Sequence, residues 1–235
     1  MKSLAIVAGL LSIWSYAVPV AWRQEPPRKR YYVSPVDQGE QDNSFAAFRT
    51  KFLASVRSRD AVVVTEGMEP SLRTDLSGSF TAPRSEFGGR EHEVWGELEQ
   101  LLALGGAFTT TRGAVKGRRE FCAPYVFTEY PQPPPEDLRY EGHPWVILRP
   151  RVPVRATAMD AARGLGELSH DLVKVTGETD TNSGKPRWRQ IITPGGEVGW
   201  VAAADIRDPQ DPHACFAKIG ERWVMVQFSR SMPGW

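Results

Sequence analysis

The stretch EVGWVAAADIR, residues 197–207, decides how the C-terminal half of this chain is read. With Gly196 just before it, it places two glycines and a tryptophan in a short β-like run that ends on small residues. Gly196 lets a hairpin turn, and Gly199 lets Trp200 pack close against a neighbouring strand. Alternate residues of the run can face a tight interior, so the cluster is first of all a packing device.

The texture on either side is the same. From Trp145 onward, WVILRPRVPVRA, LVKVT, RWRQIIT, VGWVA and RWVMVQF read as short strands, with GETDTNSGKP and TPGGE as turns between three of them. No segment in this half is long or periodic enough for a helix. Upstream, YPQPPPEDL cannot continue helix or sheet, so residues 131–144 are read as a stiff Pro-rich linker.

Before the linker the period changes. Phe45, Phe48, Phe52 and Val56 recur at helical spacing, with Ser44 placed to cap the first turn. A second helix carries Val94, Trp95, Leu98, Leu101 and Leu102 as its stripe and stops at Gly105 and Gly106. A short helix is suggested from Asp60. The segment FCAPYVF is a strand or a buried extended run. These stripes are core faces, because an isolated helix must bury such a face to be stable.

Length sets a prior of two domains for 235 residues. The opening MKSLAIVAGLLSIWSYAVPVAW has a cation, an apolar run and small residues, the order of a secretory signal peptide over residues 1–17. Cleavage after Ala17 fits best and after Ala21 next. A retained anchor helix competes, but the run is shorter than the roughly 20 apolar residues a span needs, so no stable membrane anchor is expected. Residues 18–43 are polar and aperiodic and read as a disordered tail, including the basic run Arg28, Lys29, Arg30. Lysine plus arginine number 29 against 28 aspartate plus glutamate. That balance implies no nucleic acid as partner. The expected compartment is periplasmic or secreted, where Cys122 and Cys215 are expected to pair as one disulfide, with two separate buried thiols as the alternative.

Several elements of residues 146–207 stand in an order similar to the bacterial SH3-type domain. Val152, Val154 and Arg155 match its first strand. Gly166, Leu168, Val173 and Val175 match the second element, Trp188 the third, and Gly199, Trp200 and Val201 the last. TAMDAARG stands where the family has a Gly-Ser-Pro signature. The whole arrangement also resembles a group of uncharacterised exported envelope proteins, through Trp95, Leu98, Leu102, Gly105, Gly106 and Phe121 to Tyr125. The resemblance implies an α+β chain: a mainly helical N-terminal domain over 44–130, then a small SH3-like β-barrel over 145–228. It implies architecture and export, with no assigned activity.

Catalytic patterns are weak. HEVWG has Gly96 where a zinc-protease helix needs its second histidine. Ser169, His170 and Asp171 are consecutive on a predicted strand, where neighbours point to opposite faces. Cys122 has no helix start to lower its pKa. His92, His143, His170 and His213 lack metal-ligand spacing, and no cofactor is implied. The expectation is a non-enzymatic envelope protein that binds a peptide, peptidoglycan or a protein partner. The alternative is a cell-wall hydrolase or its accessory subunit, with the barrel as targeting module. For a ligand, the candidates are Trp188 with the loop 156–165, flanked by Arg187 and Arg189; the competing reading makes Trp188 and Trp200 structural core residues.

Overall fold

A computed structural model describes residues 29–69, 72, 87, 93–113, 115–138, 143–179 and 187–229. The expected leader over 1–17 and the second-helix residue His92 lie outside the described residues. The helix α1 (Asn43–Arg57) buries Phe45, Phe52 and Val56 of the expected stripe and leaves its fourth member, Phe48, half-buried. Its cap is Asp42 rather than Ser44. The Asp42 carboxylate accepts the N–H groups of Ser44 and Phe45, and Ser44 instead accepts the indole N–H of Trp223 at 2.9 Å. The short α2 (Ala61–Glu66) is capped by Asp60. In α3 (Val94–Ala103) Val94, Trp95, Leu98, Leu101 and Leu102 are all buried. Gly105 follows it at φ +71°, and a Cβ there would stand 2.6 Å from the Val36 carbonyl oxygen.

The hydrogen bonds Asp42 receives hold its carboxyl below the ordinary value of 3.8, the Ser44 hydroxyl first among them. Its stabilising effect is therefore complete above the ordinary carboxylate range and fades as pH falls through the depressed folded value. Asp42→Ala is expected to cost about 1 kcal/mol at neutral pH. Urea titrations of the two proteins should converge at strongly acidic pH, and an equal gap at both pH values would contradict the capping role.

The expected α+β plan of a helical domain followed by a barrel is corrected here. The described chain is mostly β, 33% strand against 27% helix, in two antiparallel sheets that do not close into a barrel. The first sheet has the order β1 (Ala107–Thr109), β2 (Glu120–Ala123), β10 (His213–Ile219), β11 (Arg222–Ser229). One half comes from the middle of the chain and the other from its C-terminal end. Phe121 lies opposite Phe216, Cys122 opposite Cys215 and Ala123 opposite Ala214. The physical reason is coverage. β1 and β2, of three and four residues, offer too little surface for the apolar faces of α1 and α3. Phe216, Trp223, Met225 and Phe228 of the last two strands complete that core. The segment FCAPYVF divides at Pro124 into β2 and the helix α4 (Tyr125–Glu129).

The second sheet runs β5 (Gly164–Leu168), β4 (Val152–Arg155), β8 (Val198–Ala202), β7 (Trp188–Ile192), β6 (Leu172–Glu178), β3 (Trp145–Ile147), β9 (Ile206–Arg207). Only the 3-10 turn Ala203–Asp205 joins β8 to β9, although three strands lie between them in the sheet. Laid flat, that separation would need about 19 Å. The link spans about 13 Å at most, so the sheet must curl. Residues of all seven strands accordingly meet in one core, from Ile147 and Val152 to Val201 and Ile206. The curl stops short of closure because β5 pairs only with β4 and the two-residue β9 only with β3. Gly199 sits where β8 meets β4: a Cβ there would lie 2.3 Å from Val154 Cγ1. Gly199 and Val201 face inward, and Trp200 is half-buried on the outer side.

Residues 29–43, read from composition as tail, run between the two sheets. Arg30 clasps the fully buried Asp171 carboxylate with two N–H groups, at 2.9 and 2.8 Å. Val33 is buried with Tyr125, Val126, Tyr130, Val146 and Leu172 in a seam between the sheets. Gln38 then hydrogen-bonds Gly106 and Phe108 beside β1. Single apolar residues in a polar segment carry this docking, too few to make a period. Among the described residues no helix is long and apolar enough to cross a membrane.

Candidate functional site

A cleft of about 330 Å³ opens between the end of α4, the proline segment and the turn after β9. Arg112, Phe127, Tyr130, His143, Gln210 and His213 line it. Each is positioned by local rules. The backbone N–H groups of Thr111 and Arg112 bond Thr109 Oγ1, fixing the start of the loop after β1. The Arg112 guanidinium then donates to the carbonyl oxygens of Phe127 and Tyr130, the groups a helix C-terminus leaves unpaired. The Phe127 ring stacks on the His213 imidazole, 4.0 Å between centroids and 7° from parallel. His213 Nε2 lies 3.2 Å from Gln227 Nε2, and His143 Nε2 lies 2.6 Å from Gln210 Nε2.

Burial pushes the Arg112 guanidinium pKa down, against a smaller opposing pull from Glu129. Among the described residues Arg112 forms no ion pair with a carboxylate. Burial pushes the Tyr130 phenol well above its usual range, with Asp208 adding to the rise, and its hydroxyl donates to the Pro144 carbonyl. Tyr130 is therefore a neutral wall at physiological pH. On the far side, burial lowers the pKa of Arg207 and raises that of Asp211, and the two oppose each other across the 207–212 turn. Arg207 donates to the Pro212 carbonyl at 2.7 Å, which holds that turn against the cleft.

The residues named from the sequence as ligand contacts lie elsewhere. Trp188 is 6% exposed and pairs with Ala202 inside the second sheet. Arg187 reaches Asp160 of the 156–165 loop at 2.7 Å, both side chains well exposed. Arg189 lies over the Trp145 ring, 4.7 Å from its centroid, and pairs with Glu178. Both arginines thus already hold carboxylate partners. Ser169, His170 and Asp171 form no relay: the Asp171 oxygens take Arg30 and the Ser169 backbone, while Ser169 Oγ accepts from Arg151 N. The cleft was not foreseen from sequence, because its residues come from four separate segments with no motif. The single hint was the polar and aromatic composition around the prolines.

Cys122 and Cys215 are fully buried, opposite one another on β2 and β10, with Cα atoms 4.1 Å apart and sulfurs at disulfide-bonding distance. The arrangement is compatible with a disulfide bond. Glu120 is buried beside them, within 4.8 Å ligand-to-ligand. Its carboxylate already takes the Arg118 guanidinium at 2.7 Å and the Val115 N–H at 3.1 Å. Sulfurs paired in a bridge would offer no thiolate to a metal ion.

No family model matches the chain, no curated protein matches its sequence, and no solved structure matches its fold.

Proposed function

We propose that this chain is an exported cell-envelope protein that binds a peptide ligand, free or as part of peptidoglycan or of a protein partner, and performs no chemistry on it. The observation that carries the reading is the cleft beside α4. It combines aromatic and proline walls with a few converging polar groups, the usual composition of a small-ligand site. Its polar groups are spent on amides and carbonyls, an arrangement suited to recognition. A hydrolase needs a nucleophile or paired carboxylates in reach of a base. Export is supported by the leader-type N-terminus and by the buried cysteine pair, since disulfides persist in oxidising compartments.

Protein isolated from a periplasmic fraction is expected to lack the leader, with its N-terminus near Val18. Incubated with purified cell-wall sacculi and, in parallel, with an envelope protein extract, it should be retained by one of them. It should release no soluble wall fragments. A full-length mass in that fraction would contradict export, and released fragments would replace binding by hydrolysis.

A further inference from the structure

Resting on the reading of the cleft as a ligand site, we infer that it takes the carboxylate end of a short peptide and that Arg112 is the cation that recognises it. A guanidinium has five N–H donors in a planar fork. Arg112 spends donors on the carbonyls of Phe127 and Tyr130, which carry no full charge. Its charge is partly desolvated without a carboxylate beside it among the described residues, an arrangement that costs free energy until an anion arrives. Arg187 and Arg189 differ in this respect, each holding an acidic side chain.

The rest of the cleft decides which anion. A volume of about 330 Å³ is at the lower end for ligand sites and suits a terminal pair of residues rather than a folded surface. Phe127 and Tyr130 give apolar walls for small side chains, and Gln210 with His143 presents amide and imidazole edges to a peptide backbone. Guanidinium and carboxylate pair through two parallel hydrogen bonds, which selects a planar carboxylate over a spherical ion. The acids of this region are already engaged. Asp208 Oδ1 accepts the Gln210 N–H at 2.8 Å, and Asp211 is opposed by Arg207 and Arg189. Glu129, which acts on Arg112 through space, is exposed at the end of α4.

The full-length mature protein should be titrated by calorimetry with N-acetyl-dialanine as the free acid and as its C-terminal amide, each in L,L and D,D forms. The acid is expected to bind at least about tenfold more tightly than the amide, the effect of a charge-assisted pair. Preference for the D,D acid points to wall stem peptides as the source, and for the L,L acid to protein C-termini. Arg112→Met should remove the preference for acid over amide. Because Arg112 also ties down α4, its loss can disturb folding, so His143→Ala serves as the second variant. It leaves the guanidinium in place and should weaken acid and amide alike while keeping their ratio. Equal binding of acid and amide to the wild-type protein overturns the carboxylate inference and leaves the ligand-site reading standing. Binding of neither probe overturns both.

Discussion

Replacing Phe45 with alanine is expected to lower the stability of the protein by about 3–5 kcal/mol, the cost of emptying a fully enclosed aromatic site. Phe45 has no exposed surface. Its ring meets both halves of the first sheet: Phe121 at 4.3 Å and Phe108 at 5.8 Å from the mid-chain strands, Trp223 at 4.9 Å and Phe216 at 5.9 Å from the last two. One helix residue therefore holds four strands that are distant in sequence. Total stabilities of about 5–15 kcal/mol leave little margin for such a loss. Urea unfolding followed by tryptophan fluorescence reads it directly, and Phe48→Ala, at a half-buried position, is the internal comparison with a smaller loss. A Phe45→Ala cost below about 1 kcal/mol would mean that the first sheet is not packed as described.

The second large effect belongs to the cysteine pair. Replacing both Cys122 and Cys215 with alanine is expected to cost about 4–5 kcal/mol, because a bridge across 93 residues removes much of the freedom of the unfolded chain. The pair is fully buried on adjacent strands, so the native structure needs no movement to accommodate it. Thermal unfolding of the oxidised wild-type protein against the double variant measures the difference. A gap of less than about 1 kcal/mol would show that the bridge does not constrain the chain.

Local pattern carried the helices and most strands, and failed where pairing is distant. The stripes Phe45–Val56 and Val94–Leu102 announced α1 and α3, since a helix writes its buried face into its own period. Gly105 marked the stop after α3. The strands Val152–Arg155, Trp188–Ile192 and Val198–Ala202 were legible between turn residues. Nothing in HACFAKI or RWVMVQF says which sheet they join, because a strand's neighbours are set by the whole chain. The cysteines alone hinted that residue 215 returns to residue 122. Closure of the second sheet was misjudged for the same reason: it depends on whether β5 meets β9, which no local residue records. The segment around Cys122 hid two elements in seven residues, too few for either period to show. The cleft escaped because Arg112, Phe127, His143 and His213 come from segments well apart in the sequence and meet only in the folded chain.

On the proposed reading, an exported chain completes its first sheet with its last two strands, bolted at one buried cysteine pair. Peptide mapping of the unreduced protein from a periplasmic fraction, by mass spectrometry after blocking of free thiols, tests it most directly. The expected result is a single cross-linked peptide pair containing Cys122 and Cys215, with no blocked cysteine. Recovery of both cysteines as blocked free thiols would contradict the claim.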